Sequence, residues 1–136
     1  MSKKTQQNLI AIGLIVAFVV AIRMFLGSYE LMYLSSKDID HVDVTTTPPG
    51  ITAVSTGDDT AQMVKLLRKT VFHGKTNAVP AGQYTTMTLY FHDGTQQKIS
   101  VCGDYIEVDG VGYSTREKDG AAIAEWAESL SNAPQP

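Results

Sequence analysis

The sequence holds one cysteine, Cys102, in 136 residues. A lone thiol excludes an intrachain disulfide framework and any cysteine-rich zinc site. No Asn-x-Ser/Thr triplet occurs, so nothing marks N-glycosylation. Acidic residues are missing from the start of the chain: Lys3, Lys4 and Arg23 all precede the first of them, Glu30. From Ser28 onward, 8 Lys and Arg stand against 14 Asp and Glu, a net charge of −6. Such an acidic body lacks the clustered positive field that phosphate-backbone binding requires, so no nucleic-acid partner is expected. There is no Ser-His-Asp order, no Gly-rich phosphate loop and no HExxH. The three histidines, His41, His73 and His92, show no metal-ligand spacing. No catalytic residue, metal or cofactor is therefore expected.

What is present begins with "LIAIGLIVAFVVAI", Leu9 to Ile22, which is free of charge. Alone it has the length of a signal-peptide core, but "MFLG" continues the apolar character past Arg23 to Gly27. Its ten Leu, Ile, Val and Phe residues each contribute roughly −0.3 to −0.6 kcal/mol near the bilayer centre, against about +3 for a central Arg. Arg23 lies near the end of the segment, where it can snorkel to the headgroups, so insertion wins. A helix from Leu9 to Leu26 would be about 27 Å long, close to the hydrocarbon thickness. Tyr29 and Tyr33 then fall where an interfacial aromatic belt belongs. No Ala-x-Ala-like site and no lipobox cysteine follows, so an uncleaved signal anchor is expected. Lys3, Lys4 and the free amine favour the N-terminus inside, which places the rest of the chain outside the cytoplasm. Residues 1–8 read as a cytoplasmic tail, 9–27 as a single transmembrane anchor and 28–37 as a juxtamembrane linker. Residues 38–132 read as an extracytoplasmic domain and 133–136 as a frayed tail.

Within the body, "DIDHVDV" (Asp38 to Val44) reads as a short strand with Val42 and Val44 on one face, expected at a sheet edge. "TTTPPG" is a turn-rich break, and "ITAVS" is a second strand or an extended lead-in. Asp59 with Gln62 resembles a capping box and predicts a helix to about Phe72, with Val64, Leu67 and Val71 on one face and Gly74 as its stop. "KTNAVPAG" is a loop. Asp119 reads as the N-cap of a second helix, "GAAIAEWAESL", whose face carries Ile123, Trp126, Ala127 and Leu130.

Between the helices, "QYTTMTLYFHDGTQQKISVCGDYIEVDGVGYS" holds four candidate strands whose register is testable. A three-residue loop at His92-Asp93-Gly94 pairs Leu89 with Gln97, Met87 with Ile99 and Thr85 with Val101. A two-residue loop at Gly103-Asp104 pairs Cys102 with Tyr105 and Ile99 with Val108. A second at Asp109-Gly110 pairs Val108 with Val111 and Ile106 with Tyr113. All three turns bring one apolar set to one face, and such agreement predicts an antiparallel meander. The prediction is an α+β fold: an N-terminal transmembrane helix, then a two-layer domain in which two helices cover one face of the meander. Asp109-Gly110 is then a type I′ turn, not a calcium loop, which would need more oxygen ligands at set spacing.

The same register places Tyr84, Thr86, Thr88 and Tyr90 on the opposite face, with Lys98, Ser100, Cys102, Tyr105 and Glu107 beside them. Tyr and Thr on a solvated face satisfy β-propensity, but they also make a recognition surface for a peptide, glycan or second subunit. Tyr84, Thr86, Thr88, Tyr90 and Tyr105 are the candidate binding residues. Lys65, Arg68, Lys69 and Lys75 form a local basic patch that either lies solvated on a helix or meets an anionic lipid or wall polymer. Asp40, His41 and Asp43 form an acidic cluster suited to a charged edge strand. Cys102 stands at the far end of its strand from His92, too far for a thiol–base pair.

The order of anchor, helix "TAQMVKLLRKTVF", strands "YTTMTLYFHDG", "QQKISVCGD" and "YIEVDGVGYS", and terminal helix resembles uncharacterised small membrane-anchored or lipoprotein domains of Gram-positive bacteria over about residues 38–131. The missing lipobox departs from the lipoprotein members, and the resemblance brings no functional residue with it. These readings point to a membrane-tethered extracytoplasmic binding domain without catalysis, recognising a protein or envelope component, with self-association also open. A structural subunit of an envelope secretion or pilus-like assembly, and an envelope-acting hydrolase, are the alternatives.

Overall fold

The computed structural model describes residues 2–132, without the side chains of 23–26 and 132. The snorkelling of Arg23 and the tail at 133–136 fall outside the described residues. The first helix, α1, spans Lys3–Leu26. Within its first twenty residues, Lys3–Ile22, an 18-residue stretch has a mean hydropathy of 1.9, and none of it is buried in the protein. At 1.5 Å per residue the whole helix is about 36 Å long, enough to cross the hydrocarbon of a bilayer.

Behind it lies one seven-stranded antiparallel sheet in the order β2-β1-β4-β5-β6-β7-β3. Its strands are β1 (Ile39–Thr47), β2 (Ile51–Ser55), β3 (Phe72–Lys75), β4 (Tyr84–Phe91), β5 (Gln96–Cys102), β6 (Tyr105–Val108) and β7 (Val111–Thr115). Helices α2 (Gly57–Lys69) and α3 (Glu117–Asn132) cover one face. The α+β architecture follows from period-2 alternation in the strands and helical periodicity in α2 and α3.

The meander has the register derived from its turns. Met87 pairs with Ile99, Leu89 with Gln97 and Thr85 with Val101. Cys102 pairs with Tyr105 and Ile99 with Val108, while Ile106 pairs with Tyr113. Asp109 and Gly110 have φ of 50° and 88°, as a type I′ turn requires. Asp109 does more than turn: its carboxylate accepts the Lys98 N–H at 2.9 Å and its own N–H donates to the Lys98 carbonyl.

Several boundaries differ from the sequence expectation. The strand at Ile39–Thr47 is internal, bonded to β4 on one side and β2 on the other, because "ITAVS" folds back on it as a hairpin. Helix α2 starts two residues before Asp59, with Thr56 at its N-cap and no side-chain capping bond, so no capping box forms. It stops at Lys69, and Phe72–Lys75 becomes the edge strand β3 paired with β7. Gly74 therefore sits inside a strand, not at a helix end. Asp119 lies in the first turn of α3, where it binds Arg116 and the Val71 N–H.

Residues 28–37 are not a linker. Leu31 and Leu34 are buried in the main core with Val42, Met63, Leu67, Leu89 and Trp126. Ser28 and Phe72 exchange two backbone hydrogen bonds of 2.7 Å. A Cβ on Gly27 would stand 2.4 Å from Val71 Cγ1 and 2.7 Å from the Phe72 carbonyl oxygen. The folded head therefore begins within one residue of α1, with no flexible spacer between them.

Candidate functional site

The two faces of the sheet differ in what covers them. On the helix side, Val42, Met87, Leu89, Ile99 and Ile106 have no exposed surface. They meet Met63 and Leu67 of α2 and Ile123, Trp126 and Ala127 of α3. Among the described residues no helix packs on the opposite face, and there the candidate binding residues divide into two groups.

At one end, the connection from β3 to β4 (residues 76–83) passes over the sheet. The Thr76 N–H bonds to the Gly112 carbonyl at 2.9 Å, and the Tyr84 hydroxyl donates to the Pro80 carbonyl. A Cβ on Gly82 would lie 3.3 Å from Cys102 Sγ. Under this strap Tyr105 is only 4% exposed, packs edge-on to Tyr84 at 6.4 Å and donates to Glu107 at 3.0 Å. Burial, the Cys102 thiol and the Glu107 carboxylate together hold the Tyr84 hydroxyl above its ordinary pKa of 10.0. Tyr105 is raised too, by burial and then by its bond to Glu107. Tyr105 is thus a packing residue of the strap and not an exposed recognition residue, and Cys102 is a buried free thiol.

At the other end the sheet is uncovered. Thr86, Thr88 and Tyr90 are half-buried along β4. His41 stacks on Tyr90 with ring centroids 4.4 Å apart and planes at 12°. The His41 ring bonds to Asp40 at 2.7 Å, and His92 lies 3.6 Å from the same carboxylate. His41 lowers the pKa of Asp40 below its ordinary 3.8, chiefly through that hydrogen bond. Hydrogen bonding to Asp43 raises the Tyr90 hydroxyl. Thr86 shares a hydroxyl hydrogen bond of 3.0 Å with Ser100. Beside them Val54, opposite Asp43 on the edge strand β2, is 64% exposed. Val54 is not among the candidate binding residues read from the sequence, and "ITAVS", read there as a strand or an extended lead-in, is the edge strand that carries it. The signal was the alternation in "ITAVS", which puts Val54 on the face of Asp43 once the two strands pair.

These groups are not arranged for nucleophilic catalysis. Cys102 lies beside Tyr84 at one end of β4, and His41 and His92 lie beside Tyr90 at the other. Six residues of strand, about 20 Å, separate the two ends. Among the described residues no group of three or more His, Cys, Asp and Glu is placed to hold a metal ion.

The basic residues divide as well. Lys65, Arg68 and Lys69 line a groove of about 410 Å³ between α2 and the segment after α1, with Met32, Ser35 and Ser36 opposite. Lys75 lies on β3 beyond Phe72 and does not line it. Compared with known protein families, curated proteins and solved structures, the chain matches none.

Proposed function

We propose that the chain is a single-pass membrane protein whose C-terminal head, outside the cytoplasm, binds a protein or envelope component without catalysing a reaction. The observation that carries this reading is the unequal covering of the sheet. One face is sealed by two helices, while the β2-β1-β4 part of the other offers Val54, Thr88 and a stacked His41–Tyr90 pair to solvent. Rigid aromatic rings beside hydroxyls and one exposed aliphatic side chain are the composition of a binding patch. Strand β2, which has no partner on its outer side among the described residues, can also accept an added strand. The N-terminal helix, apolar and without a spacer behind it, supports residence on the membrane, and Lys3 with Lys4 supports an N-in orientation.

Crosslinking in native membranes tests this. The wild-type chain forms a discrete higher-mass adduct, and the double variant Val54→Arg, Tyr90→Ala loses it while still folded, as shown by a cooperative melt lowered by no more than about 10 °C. An unchanged adduct in the folded variant removes this patch from the account.

A further inference from the structure

We infer that the groove between α2 and residues 32–36 is a docking surface for the anionic lipid headgroups of the leaflet from which α1 emerges. This rests on the membrane reading of α1. Two independent features place the groove at the bilayer surface and give it the matching charge.

Position comes from the junction. Ser28 is fixed to Phe72 by paired backbone hydrogen bonds directly after α1. Val71, next to Phe72, is held in turn by the Asp119 carboxylate at 3.2 Å and the Thr115 hydroxyl at 2.7 Å. Lys69 stands three residues before Phe72, so at most about 10 Å of chain separates them. Lys65 is one turn further along α2, about 6 Å. The headgroup layer of one leaflet is itself about 5–8 Å deep. Lys65 and Lys69 therefore lie within about 16 Å of the junction, a span that long Lys side chains shorten by snorkelling.

Charge comes from the lining. Lys65, Arg68 and Lys69 are all exposed, and none of them forms a salt bridge among the described residues. No Asp or Glu lines this groove. Lys65 and Lys69 also line the neighbouring groove between α2 and α3, which includes Glu125, whereas Arg68 lines only the groove beside residues 32–36. Met32, 58% exposed at the mouth, adds an apolar side chain that can sit at the acyl boundary. The head as a whole is acidic, with a net −6 from Ser28 onward even with this patch included. An anionic surface attracts this one patch and repels the remainder, so the field selects a single orientation of the head.

The test uses the full-length chain in vesicles of phosphatidylcholine alone, or with about one quarter phosphatidylglycerol. Flotation with both vesicles establishes the anchor. Amine-reactive footprinting then reads Lys65 and Lys69, with Lys98 on the opposite face as the internal reference. Modification of Lys65 and Lys69 should fall about fivefold in the anionic vesicles, as expected for roughly 1 kcal/mol per surface cation. The protection should vanish in 1 M salt, where the Debye length is about 3 Å. Arg68→Gln should weaken it at both lysines without changing flotation. Equal labelling in the two vesicle types, with flotation intact, overturns the docking surface and leaves the anchor standing. Equal protection by inorganic phosphate with neutral vesicles also overturns it, by revealing a soluble-anion site. A chain that floats with neither vesicle overturns both readings.

Discussion

Tyr90 and Tyr105 lie on the same face of the same sheet, and both arise from the same alternating pattern, yet their surroundings differ. Tyr105 is nearly sealed beneath residues 76–83 and shares its hydroxyl with Glu107. Tyr90 stands uncovered at the other end, with only His41 stacked upon it. Alternation assigns a side chain to a face. Whether that part of the face meets solvent is decided by a non-local event, here the path the chain takes from β3 at one edge to β4 inside the sheet. The strapped end is structure, and the open end is available for function.

Substitutions sharpen this contrast. The largest effect belongs to the helix-covered face. Ile106→Ala should cost about 2–5 kcal/mol in urea unfolding through lost burial and a residual cavity, whereas Thr88→Ala should cost under about 1 kcal/mol. Next comes the strap. Tyr105→Ala should destabilise by about 3 kcal/mol, and Tyr90→Ala by about 1 kcal/mol, since only the former empties a closed site. Equal costs for the two tyrosines would erase the distinction between the ends. Gly112→Ala is a finer probe of the same strap. Its new methyl would lie 2.6 Å from the Tyr105 hydroxyl oxygen and 2.9 Å from the Thr76 carbonyl oxygen. Forced outward movement of the strap should cost about 1–3 kcal/mol in thermal or urea melts and speed amide exchange in residues 76–83.

The smallest effect is a pH dependence confined to the open end. The folded-state pKa of Asp40 lies below its ordinary 3.8 because His41 hydrogen-bonds its ionised form. A depressed carboxyl contributes stability above the unfolded value and loses it as pH falls through the folded value. The stability difference between wild type and Asp40→Asn should therefore be present at neutral pH and shrink below pH 3.8. A difference that grows on acidification would contradict the assignment.

Much of the sheet was legible because its turns carry their own chemistry. Three loops with glycine at left-handed positions fixed the register of β4 to β7, and each pairing from them is present. The two helix faces were legible from spacing, since Leu67, Ile123 and Ala127 lie in the core as their periodicity implied. What escaped reading depended on distant partners. Val71 continues the helical spacing of Val64 and Leu67, so Phe72 to Gly74 reads as the end and stop of α2, and Lys75 as loop, until β7 supplies a strand to pair with them. Leu31 and Leu34 were lost in a segment whose length suited a linker, though two leucines three apart in a short polar stretch marked it for burial. Of the candidate binding residues, Thr86, Thr88 and Tyr90 lie on the uncovered end. Tyr105, and partly Tyr84, belong to the strap.

Site-specific photocrosslinking in intact membranes tests the central claim most directly. A photoreactive residue in place of Thr88, on the uncovered sheet, is compared with one in place of Ala124, exposed on α3. The account predicts a discrete adduct from position 88 and none from position 124. Adducts of equal yield from both positions, or an adduct from position 124 alone, would contradict it.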